Sequence, residues 1–530
     1  MRSSVAERQL PKLNMRVRFP SRAPFIFMKI AFTGASGHMG FTTLKELLNI
    51  KEADVIRVLL LKKEKRNKLV TKLAKKANNR IEIMYGDVAE IEDLRKLCQG
   101  VDYLLNLAGV IPPLSDKKPE LSYRANELGV YNVVKVCEEN PNIKLIDITS
   151  IALYGHRNIK HPFVRIGDPL ISSAYDFYST HKQRGELAIL ESNIKHFAII
   201  RQTAMIYEEM LMSNRTDGLI FHTGFNDPLE WSSTEDTAIL LSNIIKEDLL
   251  GHLNYDNFWN KVYNLGAGEI NRMSGFDTLE AGFKIFGGSA KKCYQPNFNT
   301  IRNFHGGFYY DGDVLENLFH YQHDKVDEYW YKILKKYPYL KLGRLCPAKL
   351  MKKFAIESVF KDDDAPAYWY KHNDIARLTA FFGGKEQYEK LPKSWDEFIL
   401  EDLRAIRSNK NYKPLDYGFD IEKSDKDITL EDLQNVAKMH GGKLLDTEFT
   451  KGDVYRRLMW VNQDGQEFMA RPYTILRGGH WMNSSYKEYV WEYDRLCKKD
   501  KIFAQIWYDT HEKDENICYY FDENLKACIK

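Results

Sequence analysis

Two side chains in the first half of the sequence, Tyr178 and Lys182, have the types and the spacing for proton transfer. Because they are four residues apart, a helix through them places both on one face. An ammonium group beside a phenol stabilises the phenolate, lowers its pKa and makes the tyrosine usable as a general acid or base near neutral pH. We therefore predict that Tyr178 exchanges a proton with a substrate, assisted by Lys182. A serine, Ser150, precedes Tyr178 by 28 residues.

The Tyr-x-x-x-Lys spacing gains its meaning from its position in the chain. The same spacing occurs at Tyr131/Lys135, Tyr331/Lys335 and Tyr337/Lys341, where we interpret it as a pair on a helix surface. Only the pair at Tyr178 lies downstream of both a serine at the end of a predicted strand and a glycine-rich turn.

The glycine-rich turn follows the first predicted strand and opens a helix, reading Thr33-Gly34-Ala35-Ser36-Gly37-His38-Met39-Gly40. Gly34 permits a tight turn, Gly37 permits close approach of a pyrophosphate, and Gly40 permits close packing of helix on strand. The N–H groups at the start of the helix then face the phosphates. We predict a dinucleotide site formed by Thr33, Gly34, Ser36, Gly37, His38, Met39 and Gly40.

The end of the second predicted strand bears on which dinucleotide binds. An acid at that place usually holds the ribose hydroxyls of NAD. Here the strand runs into Leu61-Lys62-Lys63-Glu64-Lys65-Arg66, with bases where the acid is expected. We predict NADP as the cofactor, with Lys62 near its 2′-phosphate, and NAD as the alternative.

These residues require a scaffold of alternating strands and helices. Six continuous apolar runs read as buried strands, and helical segments separate them: 29–33, 55–61, 81–85, 103–107, 144–148 and 197–201. This alternation predicts an α/β fold with a Rossmann-type, doubly wound parallel sheet. The rhythm changes after about residue 264, and we predict additional C-terminal helical and small α+β regions.

Further motifs make the chain resemble an extended short-chain dehydrogenase/reductase of the NAD-dependent epimerase/dehydratase family. Gly86-Asp87-Val88 follows the third strand, Asn106-Leu107-Ala108-Gly109 follows the fourth, and Ser150-x-x-x-Tyr154-Gly155 follows the fifth. The resemblance implies that Asp87, Val88, Leu107, Ala108, Gly109, Gln202 and Thr203 contact the cofactor, together with Tyr178 and Lys182. It also implies a catalytic set of Ser150, Tyr178, Lys182 and Asn126.

By this resemblance Ser150 polarises the substrate oxygen, Lys182 binds the nicotinamide ribose, and hydride moves between the cofactor and a carbonyl or secondary alcohol. Nucleotide-sugar members of the family often carry Asn shortly after the arginine that corresponds to Arg201, whereas this chain has Ala204. We predict an NADP-dependent oxidoreductase acting on a small molecule. Two alternatives stand beside it: a nucleotide-sugar epimerase or dehydratase that retains its cofactor, and a non-catalytic NADP-binding sensor.

Composition limits the class of protein. The chain has 77 basic and 73 acidic residues, which is too balanced to favour nucleic acid or a membrane surface. Seven scattered cysteines without a Cys-x-x-Cys pair indicate reduced thiols and a cytoplasmic protein. Because many relatives pair through helices of the nucleotide domain, a homodimer is a further expectation.

We divide the chain into an N-terminal extension (1–27), a dinucleotide and substrate domain (28–338), a helical aromatic-rich region (339–425) and a small α+β domain (426–530). The last resembles small zinc-binding treble-clef modules, with tryptophans at Trp460 and Trp481. Since Asn462, Gln466, Met482 and Ser485 would stand at the four ligand positions, we predict no metal. His440 and His480, each beside a glycine, are interpreted as turn or core residues.

Residues 1–27 contain six arginines and lysines and one acid, without the apolar core of a secretory signal. One interpretation is an organellar transit peptide. We prefer another, in which translation begins at Met28, because Val17-Arg18-Phe19-Pro20 can be encoded by the T-loop consensus of a tRNA gene. We expect no packed structure in this stretch.

Overall fold

The computed structural model describes residues 28–65, 67–213, 217–481 and 491–519. The N-terminal extension and positions 482 and 485 of the treble-clef comparison lie outside these residues.

The centre of the molecule is a seven-stranded, fully parallel sheet in the order β10-β7-β5-β4-β1-β2-β3. Its first strand lies mid-sheet, between β2 and β4, so the chain winds outward in both directions, as predicted. The strands of this sheet are β1 (Met28–Thr33), β2 (Ala53–Leu60), β3 (Ile81–Tyr85), β4 (Tyr103–Asn106), β5 (Lys144–Ser150), β7 (His196–Gln202) and β10 (Lys261–Leu265).

Helices cover both faces of the sheet because its strands are apolar on both sides. The helices that precede β10 are α1 (His38–Leu47), α2 (Lys68–Lys76), α3 (Ile91–Leu97), α4 (Leu114–Lys117), α5 (Pro119–Ser122), α6 (Gly129–Glu139), α7 (Phe177–Leu190), α8 (Met210–Ser213) and α9 (Thr234–Leu249).

Three small sheets lie outside the central one. One has the order β11-β9-β8, one pairs β12 with β6, and one has the order β13-β14-β15. Their strands are β6 (Phe163–Val164), β8 (Ala204–Ile206), β9 (Pro228–Ser233), β11 (Arg272–Ser274), β12 (Phe308–Tyr309), β13 (Lys443–Leu444), β14 (Leu458–Val461) and β15 (Glu467–Ala470).

The later helices are mostly short and, as the composition indicated, aromatic-rich. They are α10 (Gly275–Ile285), α11 (Ala290–Cys293), α12 (Asp313–Phe319), α13 (Val326–Lys336), α14 (Ala348–Met351), α15 (Pro366–His372), α16 (Ile375–Phe382), α17 (Lys385–Lys390), α18 (Leu430–Met439), α19 (Pro472–Leu476), α20 (Tyr493–Cys497) and α21 (Lys501–Trp507). No helix in the described part of the chain is long and apolar enough to cross a bilayer.

The C-terminal half shares its core with the central sheet. One continuous cluster of buried side chains joins Val133 of α6 and Ile189 of α7 to Trp369, Trp460 and Trp507. The regions beyond residue 338 therefore bury one face of the layer formed by α6 and α7. In a fold made of the alternating strands and helices alone, that face would be exposed to solvent.

Two elements differ from the sequence-based expectation. The helical segment expected between β4 and β5 is not a single regular helix, because it includes a π-helical turn at Tyr123–Leu128, which carries Asn126. The seventh strand, β10, was not predicted, because its five residues mix polar and apolar side chains and form no continuous apolar run.

Candidate functional site

The glycine-rich turn has the backbone geometry that the sequence predicts. Gly34 has φ of +79°, and a Cβ atom there would lie 2.6 Å from the Leu107 backbone. At Gly40 a Cβ atom would lie 2.0 Å from the Gly34 carbonyl oxygen, so helix and turn could not pack. At Gly37 the nearest atom would be 3.6 Å away, so the fold itself has room for a side chain there.

The start of α1 fits a dinucleotide phosphate. Gly37 is the N-cap residue, and no side chain caps the helix. The first N–H groups of a helix have no intrahelical acceptor, and they attract anions. Ser36, His38 and Met39 surround this helix start. The His38 ring stacks on Tyr207 with 4.1 Å between ring centroids.

Residues predicted near the adenosine end lie at the carboxyl ends of β2 and β3. Lys62 is exposed in a 3-10 turn that directly follows β2. The one acid of that turn, Glu64, accepts a hydrogen bond of 2.8 Å from the Leu61 amide. Asp87 is half-buried, accepts from the Ala89 amide and pairs with Arg124 at 3.1 Å, while its neighbour Val88 is buried.

A buried chain of hydrogen bonds joins the ends of β1, β4 and β5. The Thr33 hydroxyl donates to Asn106 at 2.7 Å and accepts from the Ala108 amide at 3.1 Å. Asn106 in turn donates to Asp147 at 2.7 Å. Sequence reasoning identified Thr33 and Ala108 but missed Asp147. This chain fixes the segment Leu107–Gly109 against the glycine-rich turn.

Gln202 and Thr203, also predicted to contact cofactor, stand at the end of β7. Gln202 accepts from the Thr237 hydroxyl at 3.0 Å, and the Thr203 hydroxyl donates to the Glu230 carbonyl oxygen at 2.7 Å. Both side chains are buried and held by the protein.

The predicted catalytic residues meet where β5 ends and α7 begins. Ser150 is the last residue of β5, and Tyr178 lies in the first turn of α7, whose N-cap Asp176 accepts from the Ser179 amide. Burial raises the pKa of Tyr178 to about 12, and a hydrogen bond with the Ser150 side chain works in the opposite direction. The phenol is therefore protonated at neutral pH and in contact with the serine.

Lys182 lies one turn further along α7, in a fully buried position. Its ammonium donates to the Ile148 carbonyl oxygen at 2.8 Å, which directs it toward the end of β5. Burial lowers the pKa of Lys182, and the carboxylates of Asp147 and Glu186 oppose this shift. Burial is the largest influence on the pKa of Tyr178, and it raises that pKa. The structure therefore does not show the lowering of the pKa that we expected from Lys182.

Asn126 holds the loop that faces Lys182. From the π-helical turn its amide group donates to the Val110 carbonyl oxygen at 2.8 Å, and its carbonyl accepts from the Val110 amide at 3.1 Å. A Cβ atom at Gly109 would lie 3.0 Å from the Asn126 side chain and 3.7 Å from the Lys182 ammonium. Asn126, Gly109 and Lys182 thus form one cluster.

A buried ion pair lies one helical turn beyond Lys182, and sequence reasoning missed it. Glu186, four residues after Lys182, pairs with Arg201 of β7, and neither side chain is exposed. Glu186 also accepts from the Thr149 hydroxyl at 2.8 Å. Burial alone would raise the pKa of Glu186, but Arg201 and His480 hold it down at about 2. The four-residue spacing of Tyr178, Lys182 and Glu186 was the signal that could have revealed it.

The C-terminal region reaches this ion pair. Arg201 donates to the Gly478 carbonyl oxygen at 2.5 Å, and His480 lies 3.1 Å from the Glu186 carboxylate. His480, interpreted as a core residue, is buried as expected, and it also contacts the helix that carries Tyr178.

The other residues of the treble-clef comparison hold one another. Asn462 donates to the Gln466 side chain at 3.0 Å within the β14–β15 hairpin. His440 contacts Asp500 at 2.7 Å and stacks on Trp481 with 4.4 Å between ring centroids. The likeness to a treble clef stays a prediction.

A cavity lies beside the N-terminus of α7, and residues of the aromatic-rich region cover one side of it. Its lining comes from the loop after β4, the segment before Tyr178, one residue between β8 and β9, and residues beyond 300: Pro112, Asp116, Ser173, Ala174, Tyr175, Asp176, Phe177, His222, Asn303, Phe304, Asp364, Arg377 and Phe381. Burial, Asp176 and Asp364 raise the pKa of Asp116 well above its usual range. The cavity therefore combines apolar rings with a carboxyl group that favours its neutral form.

Comparison with known proteins bears out the resemblance in the N-terminal half. Residues 31–205 match the model of the 3-beta hydroxysteroid dehydrogenase/isomerase family. The human sterol-4-alpha-carboxylate 3-dehydrogenase (decarboxylating) is 30% identical over 117 residues, which are 22% of this chain and 30% of that protein. The mouse protein of the same name is 31% identical over 117 residues, covering 22% of this chain and 31% of its own length. The match thus spans about a third of these relatives.

Solved structures resemble about 60% of the chain. A dTDP-glucose 4,6-dehydratase from Bacillus anthracis has a TM-score of 0.47 at 16% identity, covering 60% of this chain and 98% of its own. A UDP-glucuronic acid 4-epimerase from Bacillus cereus has a TM-score of 0.47 at 18% identity, covering 59% and 99%.

Proposed function

We propose that this protein is an NAD(P)-dependent oxidoreductase that interconverts a carbonyl group and a secondary alcohol. The observation that carries the proposal is the convergence of Ser150, Tyr178 and Lys182 on one edge of the sheet, beside the glycine-rich turn. In parallel sheets ligands bind at the carboxyl ends of the strands, where all of these residues lie. The family match over residues 31–205 supports the same reaction class.

In the reduction direction, Tyr178 donates its phenolic proton to the substrate oxygen as that oxygen gains negative charge. Ser150 hydrogen-bonds the same oxygen and holds it beside the phenol. The Lys182 ammonium, which is buried one helical turn beyond Tyr178, would stabilise the phenolate that remains. A bound dinucleotide supplies or accepts the hydride.

We further propose that the cofactor is NADP rather than NAD. Lys62 is exposed at the end of β2, whereas Glu64, the acid nearest that position, is turned back onto the Leu61 amide. A 2′-phosphate would therefore meet ammonium groups and no free carboxylate. Changing Lys62 to Glu should weaken NADPH binding and spare NADH, as titrations of tryptophan or cofactor fluorescence would measure. Equal effects on both cofactors contradict NADP preference.

The substrate class that we propose is an alcohol or ketone on a largely apolar skeleton. The curated relatives named above act, by their names, on a sterol carboxylate. The loop after β4 presents Ile111 and Leu114 with exposed fractions of 60% and 45%, beside a cavity lined by Phe177, Phe304 and Phe381. A panel of 3-hydroxy- and 3-keto-steroids and smaller cyclic alcohols, followed by NADPH absorbance, tests this class.

Tyr178→Phe is the decisive variant. It removes the transferable proton and keeps the ring, so we expect turnover to fall by about 10²- to 10⁴-fold while NADPH binding stays unchanged. Tyr131→Phe is the matched control, because Tyr131 belongs to another Tyr-x-x-x-Lys pair that lies on a helix surface. Full activity of the Tyr178 variant contradicts the assignment. Tightly retained cofactor with no net NADPH consumption would instead favour an epimerase or dehydratase.

A further inference from the structure

Exposed apolar side chains are concentrated in one stretch, residues 339–354, here called the basic apolar segment. Five large hydrophobic residues in it have exposed fractions of 44–76%: Tyr339, Leu342, Leu345, Leu350 and Phe354. Twenty-one such residues occur in the whole described part of the chain. Five of them within sixteen consecutive residues form a patch, and patches of that kind mark interaction sites.

The charge of the same stretch is one-sided. Residues 329–356 contain eight lysines and arginines and no acid, although the whole chain is nearly balanced. Lys341, Arg344, Lys349 and Lys353 are exposed, and within the described residues no carboxylate lies within 4 Å of their charged groups. Lysines 284, 291 and 292 of the adjoining α10–α11 region are exposed as well, and no acid occurs from 281 to 310. The net charge of the whole chain, which is nearly balanced, therefore gives no sign of this locally basic surface.

The fold anchors the segment and leaves its outer side uncovered. Leu340 and Ile356, near its two ends, are buried in separate core clusters. Between them a Cβ atom at Gly343 would lie 2.9 Å from the Phe286 side chain, so the backbone packs directly on the end of α10. Because the inner side of the segment packs on the protein in this way, the side chains of Leu342, Leu345 and Phe354 point away from the core.

We propose that the basic apolar segment docks this protein on a membrane surface that bears anionic lipid. Its short 3-10, α- and π-helical turns present leucines and a phenylalanine for the boundary between headgroups and acyl chains, with cations around them for lipid phosphates and carboxylates. Leu342, Leu345 and Phe354 are the most exposed of the five hydrophobic side chains of the segment. The two leucines are aliphatic and add nothing to the binding of a phosphate backbone, which argues against nucleic acid as the partner. The proposal rests on the apolar and basic side chains of the basic apolar segment, and it does not depend on the proposed reaction.

The test is co-sedimentation of the full chain with vesicles of phosphatidylcholine alone or with 30% phosphatidylserine. We expect binding only to the serine-containing vesicles, with a several-fold loss when the salt concentration rises from 0.1 M to 0.5 M. Leu342→Ser with Leu345→Ser keeps the charge and should lower the partition coefficient by about tenfold or more. Lys341→Gln with Arg344→Gln should remove the phosphatidylserine dependence. Leu250→Ser with Ile399→Ser is the matched control, since those side chains are 65% and 76% exposed elsewhere, and binding should be unchanged.

Three outcomes overturn the proposal. The first is absence of phosphatidylserine-dependent binding by the unaltered chain. The second is an equal loss of binding in the Leu250/Ile399 control. The third is evidence that the segment binds something other than a membrane. This would be a dimer in vesicle-free solution that the leucine variant dissociates, or binding of double-stranded RNA, in place of vesicles, that the Lys341/Arg344 variant abolishes. Circular dichroism of each variant establishes that it is folded.

Discussion

Removing the charge of Glu186 should destabilise the protein severely, because it leaves Arg201 buried without a counter-charge. Neither side chain is exposed, and breaking such a pair from one side costs about 3–5 kcal/mol. The structure gives an independent magnitude. Arg201 and His480 overcome burial and bring the pKa of Glu186 from 4.5 to about 2, a shift that corresponds to about 3 kcal/mol of stability.

The sign of this effect fixes a pH profile. A carboxylate whose pKa is depressed in the folded state stabilises the protein above its unfolded pKa of 4.5, and the contribution disappears as the pH falls toward 2. Urea unfolding of Glu186→Gln and of the unaltered protein, followed by fluorescence, should therefore differ by about 3 kcal/mol at pH 7 and progressively less below pH 4.5.

Glu139→Gln is the control for this experiment, because Glu139 pairs with Arg95 at the surface, and its unfolding midpoint should be unchanged. A difference below about 1 kcal/mol at pH 7, or one that persists undiminished at pH 3, would refute the reasoning. Since Glu186 also accepts from Thr149, next to Ser150, the folded fraction of the variant should turn over substrate more slowly.

Three further predictions concern single groups. With the Tyr178 pKa at about 12, carbonyl reduction should be independent of pH from 6 to 9, while alcohol oxidation, which needs the phenolate, should rise with pH; initial rates in both directions check this. Gly37→Ala should keep its melting temperature but lose about tenfold or more in NADPH affinity, whereas Gly40→Ala should lose stability, as calorimetry and titration would separate. Burial lowers the pKa of His222 to about 4, so near pH 5.5 this histidine is protonated in the unfolded chain and neutral in the folded protein. Between pH 7.5 and pH 5.5 the unaltered protein should therefore lose about 1 kcal/mol of stability. His222→Gln, which keeps a donor toward the Asp364 carbonyl oxygen, should not show this loss when urea unfolding is compared at the two pH values.

The parts of the fold that sequence reasoning predicted well are those governed by local rules. Continuous apolar runs predict buried parallel strands, and β3 occurs at the residues expected. The glycine-rich turn was equally predictable, because sterics at Gly34 and Gly40 do not depend on the rest of the chain.

What could not be predicted depends on contacts between residues far apart in the chain. His480 meets Glu186 across 294 positions, and Gly478 meets Arg201 across 277. A histidine beside glycines gives no sign of such a partner. The pKa of Tyr178 was unpredictable for a similar reason, since the sequence shows the nearby lysine but not the burial that raises this pKa.

The docking of the C-terminal region on α7 has a consequence for shorter proteins of this type. Glu191, just after α7, accepts from the Arg471 amide at 3.0 Å, and a Cβ atom at Gly478 would lie 2.9 Å from Leu190. A chain that ended near residue 338 would leave Leu190 and the Arg201–Glu186 pair facing water or another subunit. A shorter chain of this fold would therefore need polar side chains on the outer face of α7, or a partner that covers that face, to remain folded in water.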